Sequence, residues 1–160
     1  CWRCPQVVDV VIRKAVAEDI PLIGQHLRGD DQREADAYGF PFDATKALDF
    51  SYLHSLKSWT AELDGEPCCI FGVATASLLF GEGVPWMMGT PTMDRGYGIL
   101  VRETPRYIDQ MLELFPYLSN HVYTGSKRSI RWLRRVGFEI HPPVPYGAKG
   151  ALFHPFDMRA

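Results

Sequence analysis

The 160-residue chain has no long uninterrupted apolar run. Its longest apolar stretch, Cys68 to Phe80, is broken by Gly72, Thr75 and Ser77, and it is shorter than the roughly 18 residues that a membrane span needs. No positively charged segment followed by an apolar segment opens the sequence, so we predict no secretory signal. We therefore expect a soluble, intracellular protein that makes no membrane contact.

Metal-binding and nucleophile patterns are lacking as well. The five histidines form no H-x-x-x-H or H-x-H pair, and no Ser-His-Asp or Cys-His set can be identified. Of the four cysteines, Cys1 and Cys4 have C-x-x-C spacing, but they stand at a terminus with no βα unit around them. Cys68 and Cys69 are neighbours in a strand-like run, so their side chains point to opposite faces. We predict no metal site, and we expect residues 1–6 to form a disordered terminus.

The sequence also has little net charge. It carries 17 Lys and Arg residues against 19 Asp and Glu residues, a formal charge of -2 at pH 7, so the whole chain is not attracted to nucleic acid. One local basic group does occur on a predicted helix, at Lys127, Arg128, Arg131, Arg134 and Arg135. It is either a solvated helix face or a contact to phosphate, of a coenzyme or of weakly bound DNA. We predict the phosphate or nucleic-acid contact at Lys127, Arg128 and Arg131. Arg128 and Arg131 are favoured, because guanidinium groups hold phosphate oxygens at two points.

What is present is enough apolar material, 46% of the residues, for one core in a single domain of residues 1–160. The patterns predict these elements in the first half: a strand at 7–13, a helix to about Leu27, a loop over 29–42, a helix capped by Asp43, a hairpin with an Asp64-Gly65 turn, and a strand at 84–88. The aromatic and Met side chains of Trp86, Met87, Met88, Tyr97 and Trp132 are expected in the core, with a cleft lining as the alternative.

In the second half, Thr104-Pro105 predicts a helix start, a cap followed by a proline at the first helical position, and Pro116 closes that helix. A strand is expected at 118–123, and Ser126 is expected to cap a last helix that reaches Val136. Gly137 then stops the helix and two short strands follow. This order predicts an α/β domain built on a mixed sheet.

The stretch from Ser126 to Phe138 resembles the pattern N-x-x-A-x-x-L-Y-x-x-x-G-F of the GNAT N-acetyltransferases, with Ser126 at the Asn position and Gly137-Phe138 at the Gly-Phe. The resemblance implies a mixed, mostly antiparallel sheet flanked by helices. It also places Leu133 where the family often has a tyrosine that acts as general acid toward the thiolate leaving group. Leucine has no proton to donate. We therefore expect a catalytically degenerate site and name no catalytic residue.

The family's pyrophosphate loop, Q/R-x-x-G-x-G/A, is matched in part by Arg95 to Leu100. The resemblance implies cofactor binding, of acetyl-CoA or coenzyme A, at Arg95, Gly96, Gly98 and Ser126. Leu100 takes the place of the last small residue and is expected to crowd the backbone, and the predicted helix start at Thr104 lies well beyond Gly98. A tight turn is therefore expected here, with a coenzyme cradle as the alternative.

A closer resemblance covers about Val11 to Met158. The segments PWMMGT at 85–90, SIRWL at 129–133 and PYG at 145–147 are similar to the internal virion protein A family of short-tailed double-stranded DNA phages. This resemblance implies a protein of the phage virion or the host cytoplasm that acts in virion assembly through contacts with other virion proteins. The alternative function is an acetyl-CoA-dependent N-acetyltransferase. Whether the protein is an enzyme, and its oligomeric state, are left open.

Overall fold

The computed structural model describes residues 7–39 and 43–160, so the terminus expected over residues 1–6 lies outside the described residues. The elements, in chain order, are β1 Val10–Lys14, α1 Asp19–Gly24, α2 Gly29–Tyr38, α3 Ala44–Leu53, β2 Ser55–Leu63, β3 Glu66–Ser77, β4 Glu82–Gly89, a 3-10 helix Pro91–Gly96, α4 Tyr97–Leu114, β5 Tyr117–Tyr123, α5 Lys127–Arg135, β6 Glu139–Ile140, β7 Val144–Tyr146 and β8 Ala151–Arg159. None of the described helices is long and apolar enough to cross a membrane.

The strands form one mixed sheet in the order β1-β2-β3-β4-β5-β8-β6, with β7 also paired to β8. Neighbouring strands are antiparallel except β4 and β5, which run parallel. Those two strands pair only at their first residues, Glu82 with Tyr117 and Gly83 with Leu118. Beyond these pairs they separate, so the sheet has a V-shaped gap that opens toward the carboxyl ends of both strands. The predicted fold class, a mostly antiparallel mixed sheet flanked by helices, is confirmed.

Local signals of the first half are also confirmed at several points. Asp64 and Gly65 join β2 to β3 with φ values of 50° and 84°, the left-handed pair that a two-residue hairpin turn requires. The Asp43 carboxylate accepts a hydrogen bond of 2.9 Å from the amide of Lys46 and so caps α3. The strand predicted at 84–88 lies within β4.

The core lies on both faces of the sheet. The larger cluster joins α4 and α5 to one face and includes Phe71, Met111 and Phe115. A smaller cluster packs α1 and α3 on the opposite face around Ile70. Because Ile70 and Phe71 are adjacent on β3, their side chains alternate between the two clusters. This arrangement places helices on both sides of the gap.

The loop predicted over 29–42 was wrong for the first ten residues, which form α2. This helix is mostly polar, although Ala35 packs against the smaller core cluster, and its buried side chain is a carboxylate, that of Asp31. An amphipathic pattern is detected by its apolar stripe. A helix with few apolar side chains, anchored also by carboxylates, does not show that stripe, so its sequence has the polar pattern of a loop.

The helix start predicted at Thr104-Pro105 was also wrong. Helix α4 begins at Tyr97 and contains Pro105, and the Thr104 hydroxyl donates a hydrogen bond of 2.5 Å to the carbonyl of Leu100. A proline inside a helix removes one backbone hydrogen bond. Here the helix continues because its buried stripe runs across the proline, at Leu100, Thr104, Tyr107, Ile108 and Met111. Because α4 begins at Tyr97, Gly96 and Gly98 of the Gly-rich segment stand at a helix N-terminus.

Candidate functional site

The candidate site is the gap between β4 and β5. Where the backbone ladder between these strands stops, the Asn120 side-chain amide donates a hydrogen bond of 2.8 Å to the carbonyl of Pro85. A cavity of about 430 Å³ opens here and passes through the sheet. It is walled by α2 and α3 on one face and by α4 and α5 on the other. Ligands of α/β proteins often bind outside the carboxyl ends of parallel strands, as this cavity would allow.

The aromatic and Met side chains singled out in the sequence all line this cavity, namely Trp86, Met87, Met88, Tyr97 and Trp132. They divide between the two faces. Met87, Tyr97 and Trp132 belong to the α4 and α5 side, where the Tyr97 and Trp132 rings meet edge to face at 5.0 Å. Trp86 and Met88 pack on the α1 and α3 side. The cavity walls are therefore apolar where the two strands separate.

The start of α4 lies beside the cavity, which its first residue, Tyr97, lines. A Cβ added at Gly98 would meet nothing within 4 Å, so the first turn of this 18-residue helix is open on that side. A Cβ at Gly96 would lie 2.5 Å from Leu63 Cδ1, so Gly96 permits close packing on the β2–β3 hairpin. Leu100 is buried in the main core and does not crowd the open turn, contrary to the expectation from sequence. Although the Tyr97 amide already donates to the Asp94 carbonyl, the dipole of this helix favours an anion at its open first turn.

Two of the three predicted arginines, Arg95 and Arg128, are held in ion pairs near this helix start. Arg95 lies 2.8 Å from Asp64 at the hairpin turn, and Arg128 lies 2.9 Å from Asp94. Arg128 also lies over the Tyr97 ring, with its guanidinium carbon 5.7 Å from the ring centre. Of the predicted site residues, Arg128 is the one whose side chain lines the cavity.

The other predicted site residues on α5 lie off the cavity wall. Lys127 and Arg131 are exposed, while Ser126 stands at the N-cap position, 2% exposed, with a side chain that makes no capping hydrogen bond. Leu133, at the place of the family's tyrosine, does line the cavity. Roles for Ser126, Lys127 and Arg131 stay predictions.

Helix α2 forms the opposite wall and joins the two separated strands. The Gly89 carbonyl accepts from the Arg28 amide at 2.9 Å, and the Gly89 amide donates to the Asp31 carboxylate at 3.0 Å. One turn further along the helix, a Glu34 carboxylate oxygen accepts from the Tyr123 amide at 2.7 Å. The two carboxylates thus pair with amides at the carboxyl ends of β4 and β5. Sequence reasoning missed both residues, although an acidic pair three residues apart in a helix was the available signal.

These two carboxyl groups differ in their surroundings. Asp31 is paired with Arg28 through two hydrogen bonds, of 2.9 and 3.1 Å. Glu34 has no ion pair within residues 7–39 and 43–160, and it lines the cavity. The pKa of Glu34 is raised to about 7, mainly by burial and also by the nearby Asp31 charge, against the hydrogen bond from Tyr123 and the positive charge of Arg28. The cavity therefore holds a carboxyl group that titrates near neutral pH.

Next to Glu34, aromatic rings form the end of the cavity. The His121 imidazole stacks on the Tyr146 ring at 3.8 Å, and Tyr38 and Phe153 lie 5.4 and 5.5 Å from the same ring. Burial lowers the pKa of His121, so its imidazole is neutral at pH 7. This end of the cavity is thus an aromatic wall beside one carboxyl group.

Outside the cavity, one group of metal-ligand side chains comes together in the described part of the chain, at Glu139, His141 and Asp157. His141 Nε2 lies 3.0 Å from Asp157, and the Tyr117 hydroxyl donates to the same carboxylate at 3.0 Å. The Asp157 carboxylate thus already has two protein partners. This group explains part of how β5, β6 and β8 are joined.

Neither a protein-family model nor a curated protein sequence matches the chain. Solved structures do match. A spermidine N-acetyltransferase from Vibrio cholerae, in complex with CoA and spermine, is 12% identical with a TM-score of 0.67, over 94% of this chain and 95% of that one. The ribosomal-protein-S18-alanine N-acetyltransferase from Escherichia coli is 14% identical with a TM-score of 0.65, over 94% of both chains.

An aminoglycoside acetyltransferase in complex with coenzyme A is 15% identical with a TM-score of 0.67, over 94% of this chain and 95% of that one. The match spans nearly the whole of each protein, although the sequences are only 12–15% identical. The chain has the GNAT N-acetyltransferase fold.

Proposed function

We propose that the protein is an acetyl-CoA-dependent N-acyltransferase. The observation that carries the proposal is the cavity through the β4–β5 gap. It has an open helix N-terminus on one face of the sheet and an ionisable carboxyl group, that of Glu34, on the other. An acyl transfer between a phosphate-bearing donor and an amine needs both features, with an apolar passage between them.

The residues present fit coenzyme A. The open first turn of α4 at Gly98 would hold the diphosphate, and the Arg128 guanidinium would approach the same group or a further phosphate. The apolar walls contributed by Met87 of β4 and Val122 of β5 would hold the pantetheine arm. Arg128 also forms an ion pair with Asp94, so a phosphate group of coenzyme A would compete with the Asp94 carboxylate for this guanidinium.

Acetyl-CoA would supply an acyl group activated as a thioester. Within the cavity, Glu34 can accept a proton from an incoming ammonium group, because its raised pKa lies near working pH. Leu133 cannot protonate the departing sulfur. A thiol with a pKa of about 8.5 is nevertheless an acceptable leaving group as the thiolate, so the missing acid slows the reaction without forbidding it. This argument weakens the expectation of a degenerate site.

The virion-assembly function stays a prediction, supported by the sequence segments that resemble the internal virion protein A family. The solved structures named above are acetyltransferases, which favours the enzyme. Contacts with virion proteins, a location in the virion or the host cytoplasm, and weak DNA contact through Lys127, Arg128 and Arg131 stay predictions in the same way.

Isothermal titration with acetyl-CoA and with free coenzyme A tests the proposal. We expect binding that persists at moderate salt, and its loss in Gly98→Asp, which adds a negative charge at the open turn. The matched control is Gln110→Glu, which adds the same charge further along α4 and away from the cavity. A folded wild-type protein that releases no heat with either ligand would overturn the function, and equal binding by Gly98→Asp would overturn the cradle.

A further inference from the structure

The end of the cavity on the α2 and α3 side is lined mainly by rings. We call it the acceptor end and define it by Tyr38, Phe50, Trp86, His121, Tyr146 and Phe153. The rings of Tyr38, His121 and Phe153 all surround that of Tyr146 at 3.8 to 5.5 Å. The hydroxyls of Tyr38 and Tyr146 hydrogen-bond to each other, so these polar atoms are partnered within the wall. Such a surface suits a flat or chain-like apolar group.

The acceptor end offers a single site for a cation. Among the described residues that line the cavity, the acidic ones are Asp31 and Glu34. Asp31 is neutralised by Arg28 and also holds the Gly89 amide. Glu34 makes one hydrogen bond, to the Tyr123 amide, and its other oxygen has no hydrogen bond within residues 7–39 and 43–160. One carboxylate oxygen is therefore available to one ammonium group.

We propose that the acceptor end binds a primary amine with an apolar, ring-sized body, whose ammonium group sits at Glu34 and whose body packs on the aromatic rings. This inference rests on the proposed acyltransferase function and names its acceptor class. Aromatic faces also attract the cation itself, which adds to the carboxylate. The neutral His121 imidazole adds no repelling charge.

The same lining disfavours other amines. A polyamine would bring further ammonium groups into a cavity whose second carboxylate is already paired with Arg28. An amino sugar would place hydroxyls against rings that offer few hydrogen-bond partners. Burial of an unpaired charge or hydroxyl is unfavourable, so both classes of amine should bind poorly.

The transfer step balances with Glu34 as the base. The Glu34 carboxylate takes one proton from the ammonium group, and the freed nitrogen pair forms a bond to the thioester carbonyl carbon. The carbon–sulfur bond then breaks with its electron pair on sulfur. The nitrogen loses a second proton to solvent, and the thiolate takes up a proton from solvent. Glu34 returns its proton to solvent. The products are an amide, a thiol and one net proton.

The first experiment measures thiol release from acetyl-CoA with the full chain and a panel of amines. We expect 2-phenylethylamine and n-hexylamine to exceed spermidine and glucosamine in kcat/KM by at least about 100-fold, the factor that about 3 kcal/mol of unpaired burial gives. Coenzyme A binding is measured on the same preparation. If the protein binds coenzyme A but prefers spermidine or glucosamine, or acetylates none of the amines, this inference alone is overturned. If the protein does not bind coenzyme A, the proposed function is overturned.

The second experiment is Glu34→Gln, which keeps an oxygen for the Tyr123 amide and removes the base. We expect kcat/KM to fall by about 10²- to 10⁴-fold with unchanged coenzyme A affinity, and the rise of kcat/KM around pH 7 to disappear. Asp36→Asn removes the same charge from the exposed side of α2 and should leave activity unchanged. A folded Glu34→Gln variant with the wild-type rate and pH profile would overturn the role of Glu34.

Discussion

The carboxylate of Asp94 lies 2.9 Å from the guanidinium of Arg128, and this ion pair joins the segment before α4 to the first turn of α5. Both side chains are 46% exposed, so the pair itself adds little to stability. Its position matters more, because the same two helix starts bound the proposed phosphate site. A negative charge at this place competes with a bound anion for Arg128.

Replacing Asp94 by asparagine should therefore strengthen coenzyme A binding. An exposed ion pair is worth about 0.2–1 kcal/mol, so we expect a gain of up to about fivefold in affinity. Titration calorimetry at low and moderate salt measures it, and the gain should shrink as salt screens the charges. Asp109→Asn, on the exposed side of α4, is the control and should change nothing. Weaker binding by Asp94→Asn would contradict the placement of the phosphates.

Glu34 should also make folding stability depend on pH. Its pKa is raised from 4.5 to about 7, so the folded protein binds the proton more tightly than the unfolded chain. The contribution of Glu34 to stability is therefore most favourable below about pH 4.5 and is lost as pH rises through about 7, by at most about 3 kcal/mol. The charged groups that act on Glu34 are Asp31, Arg28 and Asp30, with the Tyr123 amide from β5.

Urea unfolding of wild type and Glu34→Gln at a series of pH values isolates this contribution. The difference between the two proteins should be small at low pH and should grow in favour of the glutamine variant up to about pH 7. Parallel stability profiles would show that Glu34 titrates at its ordinary pKa in the folded state.

Restoring a hydroxyl at Leu133 should raise the rate if protonation of the departing sulfur limits it. Leu133 lines the cavity on α5, so a tyrosine there would reach the apolar passage. We expect Leu133→Tyr to increase kcat by about 10²-fold, the lower end of the range that general acids contribute. Leu133→Phe has the same ring without the hydroxyl. An equal increase in both variants would attribute the effect to packing and not to proton transfer.

The two glycines at the start of α4 should respond in opposite directions to alanine. Gly96→Ala places a Cβ 2.5 Å from Leu63 Cδ1 in the core and should lower the free energy of unfolding by about 1–3 kcal/mol. Gly98→Ala meets open space and should raise it by about 0.5–1 kcal/mol, because alanine is the better helix former. Chemical denaturation measures both. A similar loss in the two variants would contradict the distinct roles assigned to them.

Sequence reasoning succeeded where the determining contacts are local. The Asp64-Gly65 turn and the Asp43 cap depend on neighbouring residues, and both were predicted correctly. It failed at α2, because the helix is held by Asp31 and Glu34 through amides of strands far away in sequence. It failed at Pro105 for a similar reason, since a buried stripe on both sides of the proline overrides the local signal.

The site followed the same division. Arg128, Glu34 and Asn120 all line the cavity. Arg128 was predicted from a helix pattern, whereas Glu34 and Asn120 were not predicted. Their importance depends on the separation of β4 and β5, which arises from pairing over more than thirty residues of sequence. No local pattern encodes where two parallel strands stop pairing.

The gap in the sheet has a further consequence for how a ligand enters. At its edges the Gly89 and Tyr123 amides donate hydrogen bonds to Asp31 and Glu34, and the Pro85 carbonyl accepts one from the Asn120 side chain. Proline has no amide hydrogen to leave unpaired. Strands that separate with these groups already satisfied need no bound molecule to hold them apart. The slot is preorganised, so binding would spend little free energy on opening the protein and more of it on affinity.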